Sequence, residues 1–385
     1  MLKRDGSVWV TGDNSNGQLG KRGLSLERFS FVQVIPSGAK IVATLGVHSM
    51  MVKQDGSVWA TGVNRDGQLG DGSTIDKNFF VKVISSGVET VATGYYHSAM
   101  LKQDGSVWTT GYNEFGGLGD GSAISRSEFK EVVSSGVTDV AAGVYNTMVL
   151  KQDGSVWATG DNKYGQIGDG SRVDRFFFVQ VIPSGVEAMA AGDFHSMVLM
   201  KNGSLWGTGY NRFGQLGDGS TLDKYSYVQV IPSGVKAATA GEHHNMALKQ
   251  DGSVWAAGDN QHGQLGDGTT TDRHTFVQVI PSGVKFVAVG CWHSMVIKED
   301  DSLWATGANE YGQLGDLHLT DRSSFSKVST ISVCTMCSSM HSTGKLSCCA
   351  REGAWYDQCG LDDDPNFKHK WSDGVQACKG EFKTP

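Results

Sequence analysis

Seven tryptophans divide most of the chain at near-constant intervals. Trp9, Trp59, Trp108, Trp157, Trp206, Trp255 and Trp304 are separated once by 50 residues and then five times by 49. A fixed period of this length marks an architecture that repeats one supersecondary unit, because such a unit buries its apolar face only by stacking on its neighbours. One copy, starting at His195, reads HSMVLMKNGSLWGTGYNRFGQLGDGSTLDKYSYVQVIPSGVKAATAG. Duplication of a single folding unit accounts for seven such copies over residues 1 to about 330.

Four runs in the unit have strand character: HSMVL, VWATG, FVQVI and the run ending in AAG, each bounded by Gly, Asp-Gly or Pro-Ser-Gly turn signals. The HSMVL run is apolar on both faces, which a strand needs only when its sheet is covered on both sides. Sheets arranged radially around an axis meet that requirement. The expected fold is therefore all-β, a seven-bladed β-propeller of four-stranded antiparallel blades over residues 1–330, with the seven tryptophans between blades, each burying on the order of 150–250 Å². Helical solenoids are excluded, since no apolar i, i+3, i+4 pattern lasts ten residues. A stacked β-solenoid would use shorter turns. The 52 glycines suit a fold made of tight turns.

Forty acidic against 33 basic residues give a net charge of −7, with no lysine- or arginine-rich run. Electrostatically driven nucleic-acid binding is not expected. No apolar stretch approaches membrane-spanning length, and the first residues carry no secretory core.

Chemistry-bearing residues recur too regularly to make one active site. His48, His97, His195, His244 and His293 occupy equivalent places, each followed by Ser or Asn, and Asn146 replaces the sixth. An enzyme needs one asymmetric constellation, so these histidines are read as structural hydrogen-bonding groups, with the Asn146 amide able to donate and accept in the same place. The Gly-Asp-Gly segments, such as Asp169-Gly170 and Asp218-Gly219, match neither a calcium loop nor a phosphate loop and are read as turns. A basic residue precedes each third run (Arg28, Lys77, Arg126, Arg175, Lys224, Arg273, Arg322), usually after an acidic one such as Asp76, Asp174 or Asp223, so local pairing is expected. No catalytic residue, cofactor or metal is expected in the repeats.

The copies differ mainly in two groups. One lies just before the histidine: Tyr95-Tyr96, Val144-Tyr145, Asp193-Phe194, Glu242-His243 and Cys291-Trp292. The other follows the Asn of G-x-N: Arg65-Asp66, Glu114-Phe115, Lys163-Tyr164, Arg212-Phe213, Gln261-His262 and Glu310-Tyr311. Because HSMVL runs down to the QDGS turn and VWATG returns, both groups fall on one rim, opposite the near-identical QDGS and PSG turns. Exposed aromatic residues are favoured anchors of protein interfaces. The expected partner-binding residues are Tyr95, Tyr96, Tyr145, Phe194, His243, Trp292, Phe115, Tyr164, Phe213 and Tyr311.

The motifs G-x-x-H-S, D-G-x-V-W and G-x-N-x-x-G-Q-L-G, recurring in order up to Asn309–Gly315, resemble the repeat of the regulator of chromosome condensation family over residues 1 to about 328. That resemblance implies a seven-bladed propeller. It implies several tasks, including nucleotide exchange on a small GTPase, ultraviolet-B reception, inhibition and ubiquitin-ligase modules. The exchange factor's wedge has no counterpart in the constant 49-residue spacing, and the receptor's G-W-R-H-T motif reads Gly94-Tyr95-Tyr96-His97-Ser98 here. The expectation is a non-enzymatic scaffold that binds a protein on the aromatic rim, with nucleotide exchange on a small GTPase as the alternative.

Composition changes after residue 330. Cys334, Cys337, Cys348, Cys349, Cys359 and Cys378 crowd the tail with Trp355 and Trp371, which points to three disulfides and an oxidising compartment. Zinc is the competing reading, from Cys334-x2-Cys337 with His341. The run SCCAREGAWYDQCG resembles a short Cys/Trp cassette of algal secreted or surface proteins and implies no activity. Met1-Leu2-Lys3 matches the end of an HSMVLK strand, so the first copy lacks its G-x-x-H-S portion. Two readings follow. Either a preceding segment is missing here, which would suit an extracellular home for the cysteines, or Met340-His341-Ser342 closes the ring of a cytoplasmic or nuclear protein.

Overall fold

The computed structural model describes residues 1–21, 27–328 and 349–350, of which 27, 28, 349 and 350 by backbone alone. Between residues 39 and 327 the chain forms six sheets, each from four antiparallel strands consecutive in sequence. The first blade comprises Ala39–Leu45, His48–Lys53, Val58–Gly62 and Lys77–Ile84; the sixth runs from Val284–Gly290 to Arg322–Lys327. Val284–Gly290 also pairs in parallel with Cys349–Ala350. No helix occurs among the described residues. The chain divides into residues 1–354 and 355–385, and the second unit lies outside the described residues, as do the ring-closing candidate His341 and every tail cysteine except Cys349.

The first copy differs from the rest. It contributes two strands, Val8–Asp13 and Glu27–Ile35, plus a bridge from Leu2 to Val8. Among the described residues, only Met1 and Leu2 stand where the other copies have the inner two strands. Six four-stranded blades and one two-stranded sheet are thus formed.

Strand order explains the burial. The innermost strands contact each other from blade to blade, and the second strand lies beneath them. His97–Leu101 is therefore buried at five successive residues, on both faces. The outer strands, such as Arg126–Val133, are half-exposed.

Three kinds of contact recur at the joints between sheets. The Trp of the third strand packs on the preceding blade's core: Trp108, with Phe129, lies against Ile41, Met50, Val58 and Leu69 of the first blade. Its indole Nε1 donates to Ser106 Oγ at 3.0 Å, while Lys102 Nζ sits 3.6 Å from the ring centroid on the solvent side. Second, an outer-strand aromatic lies flat on the last glycine of the preceding GQLG. A Cβ on Gly70 would stand 2.4 Å from the Phe129 ring, so only glycine fits. Third, a threonine hydroxyl donates across the joint: Thr208 Oγ1 reaches Gly165 O at 2.9 Å and Lys224 O at 2.8 Å.

The two-stranded sheet takes part in the same way. Thr11 Oγ1 donates to Gly312 O of the sixth blade at 2.8 Å, and Phe31 covers Gly315. On its other side Thr61 Oγ1 donates to Gly17 O at 2.9 Å, and Phe80 covers Gly20.

One joint lacks its hydroxyl. Ala257 stands where the other six copies have threonine, and it is fully buried. Ala257→Thr should restore the bond to Gly214 O and raise stability by about 0.5–1.5 kcal/mol, whereas Thr208→Ala should lower it by a similar or larger amount. Urea unfolding midpoints of the two variants test this. Destabilisation by Ala257→Thr would contradict it.

The variable aromatic rim

The hairpin between second and third strands brings the two variable groups together. His97 pairs with Gly111, and Tyr112 N donates to Tyr96 O at 3.0 Å, so the residues before the histidine meet those around the Asn at one end of the sheet. The same bond recurs from Tyr210 N to Phe194 O and from Ala308 N to Trp292 O.

The rings gather in neighbouring clusters. Tyr96 stacks on Tyr145 with centroids 5.2 Å apart and planes 8° off parallel, and Tyr95, Tyr112 and Phe115 complete this group. Tyr164, Phe194, Tyr210, Phe213 and His243 form a second, in which Phe213 and His243 stack at 4.7 Å. Trp292 stacks on His262 at 5.4 Å. Tyr311 is half-buried at the equivalent place in the sixth blade.

Not every expected rim residue faces outward. The first member of each pair before the histidine is buried, and Tyr95 packs in one cluster with Val47, Val63 and Val144. The buried Glu242 carboxylate accepts from the Cys291 thiol across a blade joint, and Glu242 Oε1 lies 3.7 Å from His243 Nε2. Tyr112 and Tyr210 were missed in the sequence because they occupy the x of G-x-N, which reads as motif. A scan of that position (Asp13, Val63, Tyr112, Asp161, Tyr210, Asp259, Ala308) would have found them. Also missed were the exposed loop tips Ile75, Ile124, Val173 and Leu222, each more than 60% exposed at the same end.

All five histidines are buried, and His48, His97, His195 and His244 reach across a blade joint. His48 Nε2 lies 2.7 Å from Ser98 Oγ of the next blade, and Ser98 Oγ itself donates to Gln68 O at 2.8 Å. The hydroxyl proton being committed, the imidazole must donate from Nε2. The same logic holds for His97 with Thr147 and for His244 with Ser294. His195 donates to Asn245 Oδ1, whose Nδ2 donates to Gln215 O. A histidine that already donates to the hydroxyl cannot act as its base, so this arrangement lacks the geometry of a Ser/His pair.

Asn146 does not do what its neighbours do. Its amide is buried, yet neither Oδ1 nor Nδ2 has a hydrogen-bond partner. The side chain is too short to cross the joint, contrary to the expectation that the amide substitutes for the imidazole.

The G-x-N asparagines hold loops. Asn64 Oδ1 accepts from Leu69 N, while its Nδ2 donates to Asp71 Oδ1 and Ser73 O. The Gly-Asp-Gly carboxylates pair with the basic residue six positions on: Asp71 with Lys77 at 3.0 Å, Asp218 with Lys224 at 2.8 Å, Asp267 with Arg273 at 2.7 Å. Local pairing of the basic residues thus occurs with a different acid from their sequence neighbours. Asp76, Asp174 and Asp223 instead accept from the backbone N–H of Asn64, Asn162 and Asn211. Among the described residues no His, Cys, Asp or Glu group is arranged to hold a metal ion.

Two measurements probe this layer. Asn146→His should place an imidazole donor against Ser196 and exchange two unpaired buried atoms for one, since Nδ1 of His48, His195 and His244 is itself unpaired, raising stability by about 0.5–1.5 kcal/mol in a denaturant titration; a loss of stability would contradict the geometry. Burial pushes His97, His195 and His293 down to about 4, and His48 and His244 to about 3. The unfolded chain, with histidine near 6.5, binds the protons first. The associated stability is complete above pH 6.5 and is lost as pH falls towards 4, at about 1.4 kcal/mol per pH unit for each histidine. Urea midpoints should therefore drop between pH 7 and 5, and a flat profile would refute the buried neutral state.

The RCC1-like domain model matches residues 1–282, and the regulator of chromosome condensation (RCC1) repeat matches residues 284–313. No curated protein sequence matches the chain. Among solved structures, human WBSCR16 superposes with a TM-score of 0.75 at 20% identity, covering 85% of this chain and 94% of that one. Yeast RCC1 (Prp20) bound to Kap60 gives 0.76 at 20% identity, with 86% and 85% covered. Prp20p from Saccharomyces cerevisiae gives 0.75 at 21%, with 86% and 87% covered. These likenesses show the β-propeller fold, and the match over most of its length makes the chain a member of the RCC1-like domain family.

Proposed function

We propose that this protein is a non-enzymatic interaction module whose aromatic rim binds another protein, the propeller serving as a rigid platform. The observation that carries this reading is the confinement of variation between copies. One end of the blades has near-identical QDGS turns, while the other presents clustered, half-buried aromatic rings with a different set in each blade. In this reading the two-stranded sheet is the outer half of a seventh blade, since it keeps the joint contacts on both sides.

Interface energy concentrates in a few aromatic and arginine anchors. Replacing Tyr96, Phe194 and Trp292 together by Ala should abolish capture of a partner from native extract. Capture that survives this variant but is lost on changing the QDGS turns would place the binding face at the opposite end.

The second reading is nucleotide exchange on a small GTPase. It draws on Prp20p, whose binding to Gsp1p and histones is described. Release of labelled nucleotide from a panel of small GTPases would favour it. Release at the spontaneous rate leaves the module.

A further inference from the structure

One end of the rim carries a titratable contact across a blade joint, which on the rim reading above gives that end its regulation. His262 lies in the loop between Val254–Gly258 and Arg273–Ile280 of the fifth blade. Its Nδ1 stands 2.9 Å from Oδ2 of Asp321, which precedes the outer strand of the sixth blade, and the two side chains are 35% and 38% exposed. The imidazole also stacks on Trp292 of the sixth blade, with centroids 5.4 Å apart and planes 25° off parallel. One ring thus grips the neighbouring blade at two points.

The backbone is fixed at all three residues. His262 N donates to Gln264 Oε1 at 3.0 Å, Asp321 Oδ1 accepts from Asn309 N at 2.9 Å, and Trp292 O accepts from Ala308 N at 2.8 Å. What is left to vary is the charge on the imidazole. The same place in the first four blades holds Asp66, Phe115, Tyr164 and Phe213, none of which takes up a positive charge. The charged groups acting on His262 are Asp321 and Glu310 of the sixth blade and Asp259 of its own loop, while Arg322, next to Asp321, is turned to Asp316 at 2.9 Å. The hydrogen bond to Asp321 first, against the effect of burial, and then the three negative charges raise the imidazole above its ordinary 6.5. With Nδ1–H committed to Asp321, the proton that comes and goes is the one on Nε2, which has no hydrogen-bond partner among the described residues.

We propose that His262 is a proton-operated latch across the joint between the fifth and sixth blades, which fixes the Trp292 end of the rim when charged and loosens it when neutral. Protonated, the ring makes an ion pair with Asp321 and lies as a cation against the indole. Deprotonated, it keeps only a neutral hydrogen bond to Asp321 and loses the attraction of a cation for the indole face. A partner seated on the rim then meets a fixed Trp292 at lower pH and a looser one at higher pH. Because an ion pair this exposed is weak, the effect on affinity is about two- to fivefold.

The test uses the full chain. Proton NMR follows the imidazole signal of His262, identified by its loss in His262→Gln, from about pH 5.5 to about pH 8.5. Trp292 emission is read as the difference between wild type and Trp292→Phe. The His262 midpoint should lie above 6.5, and Trp292 emission, which a protonated imidazole quenches on contact, should rise through that same midpoint. Asp321→Ser removes the carboxylate yet keeps the loop brace, as Ser125 Oγ accepts from Asn113 N at 3.2 Å in the second blade; the midpoint should fall in this variant. A midpoint at or below 6.5, a midpoint unmoved by Asp321→Ser, or Trp292 emission that does not follow it would overturn the proposal. A captured partner should bind about two- to fivefold more tightly at pH 6 than at pH 8, and His262→Gln should lose that difference. Capture that needs the aromatic rim but keeps its pH dependence in His262→Gln sinks the latch alone. Capture that survives the triple aromatic variant sinks the rim reading, and the titration of the uncomplexed protein still decides the latch.

Discussion

The joint between neighbouring sheets is the interaction on which everything else rests. No single blade can bury its faces, so each must present to the next an apolar surface with its polar atoms paired. The chain meets this with a small kit repeated at a fixed interval: an indole over the preceding core, an aromatic ring on a glycine, a threonine hydroxyl on a carbonyl, and an imidazole that donates across the gap. Each element fixes distance or angle more than it adds energy. A net hydrogen bond contributes only about 0.5–1.5 kcal/mol, while an unpaired buried group costs about 1–3 kcal/mol. Asn146 and Ala257 show where the kit is incomplete, and the remaining contacts of those joints still hold the blades in place.

Because the kit occupies the sides of each sheet, the loops at one end are released from packing duty. The asparagine that braces each loop keeps its backbone shape constant, as with Asn64 on Leu69 and Asp71. Side chains such as Tyr96, Phe115 and Glu114 can then vary without disturbing the blade. The same logic explains the charge pattern. Acids used in turns are paired with a neighbouring Lys or Arg, as Asp71 is with Lys77, whereas the rim acid Glu114 accepts from the Tyr112 hydroxyl. The result is a frame that displays unlike side chains at regular intervals, the feature on which the proposed module reading rests.

Most of the fold was legible in the sequence because the determinants are local and periodic. The Trp spacing, the Asp-Gly turns and the doubly apolar HSMVL strand each specify a feature within a single copy. Legibility fell where the outcome depends on length or on a neighbouring blade. The Asn146 side chain looks chemically equivalent to histidine but cannot span the joint. The pairing of Lys77 with Asp71 instead of Asp76 follows from the turn geometry, which sequence adjacency does not reveal. At the rim, sequence reasoning placed the two variable groups at one end, but the alternation of buried and half-exposed positions hid Tyr112 and Tyr210 within a motif and turned Tyr95 inward. That the first copy lacks its G-x-x-H-S portion was legible from Met1-Leu2-Lys3; that its sheet also has no innermost strand among the described residues was not, because in every other blade that strand is the end of the preceding copy.

The central claim is that the rim of variable aromatic residues is where a partner protein sits. Hydrogen–deuterium exchange on the complex with a captured partner tests it most directly, because amides at both ends of the propeller report in one experiment. The account predicts slowed exchange at residues 94–96, 112–115 and 163–164, with the turns at residues 103–106 and 152–155 unchanged. Slowed exchange confined to those turns, with the rim unaffected, would contradict it.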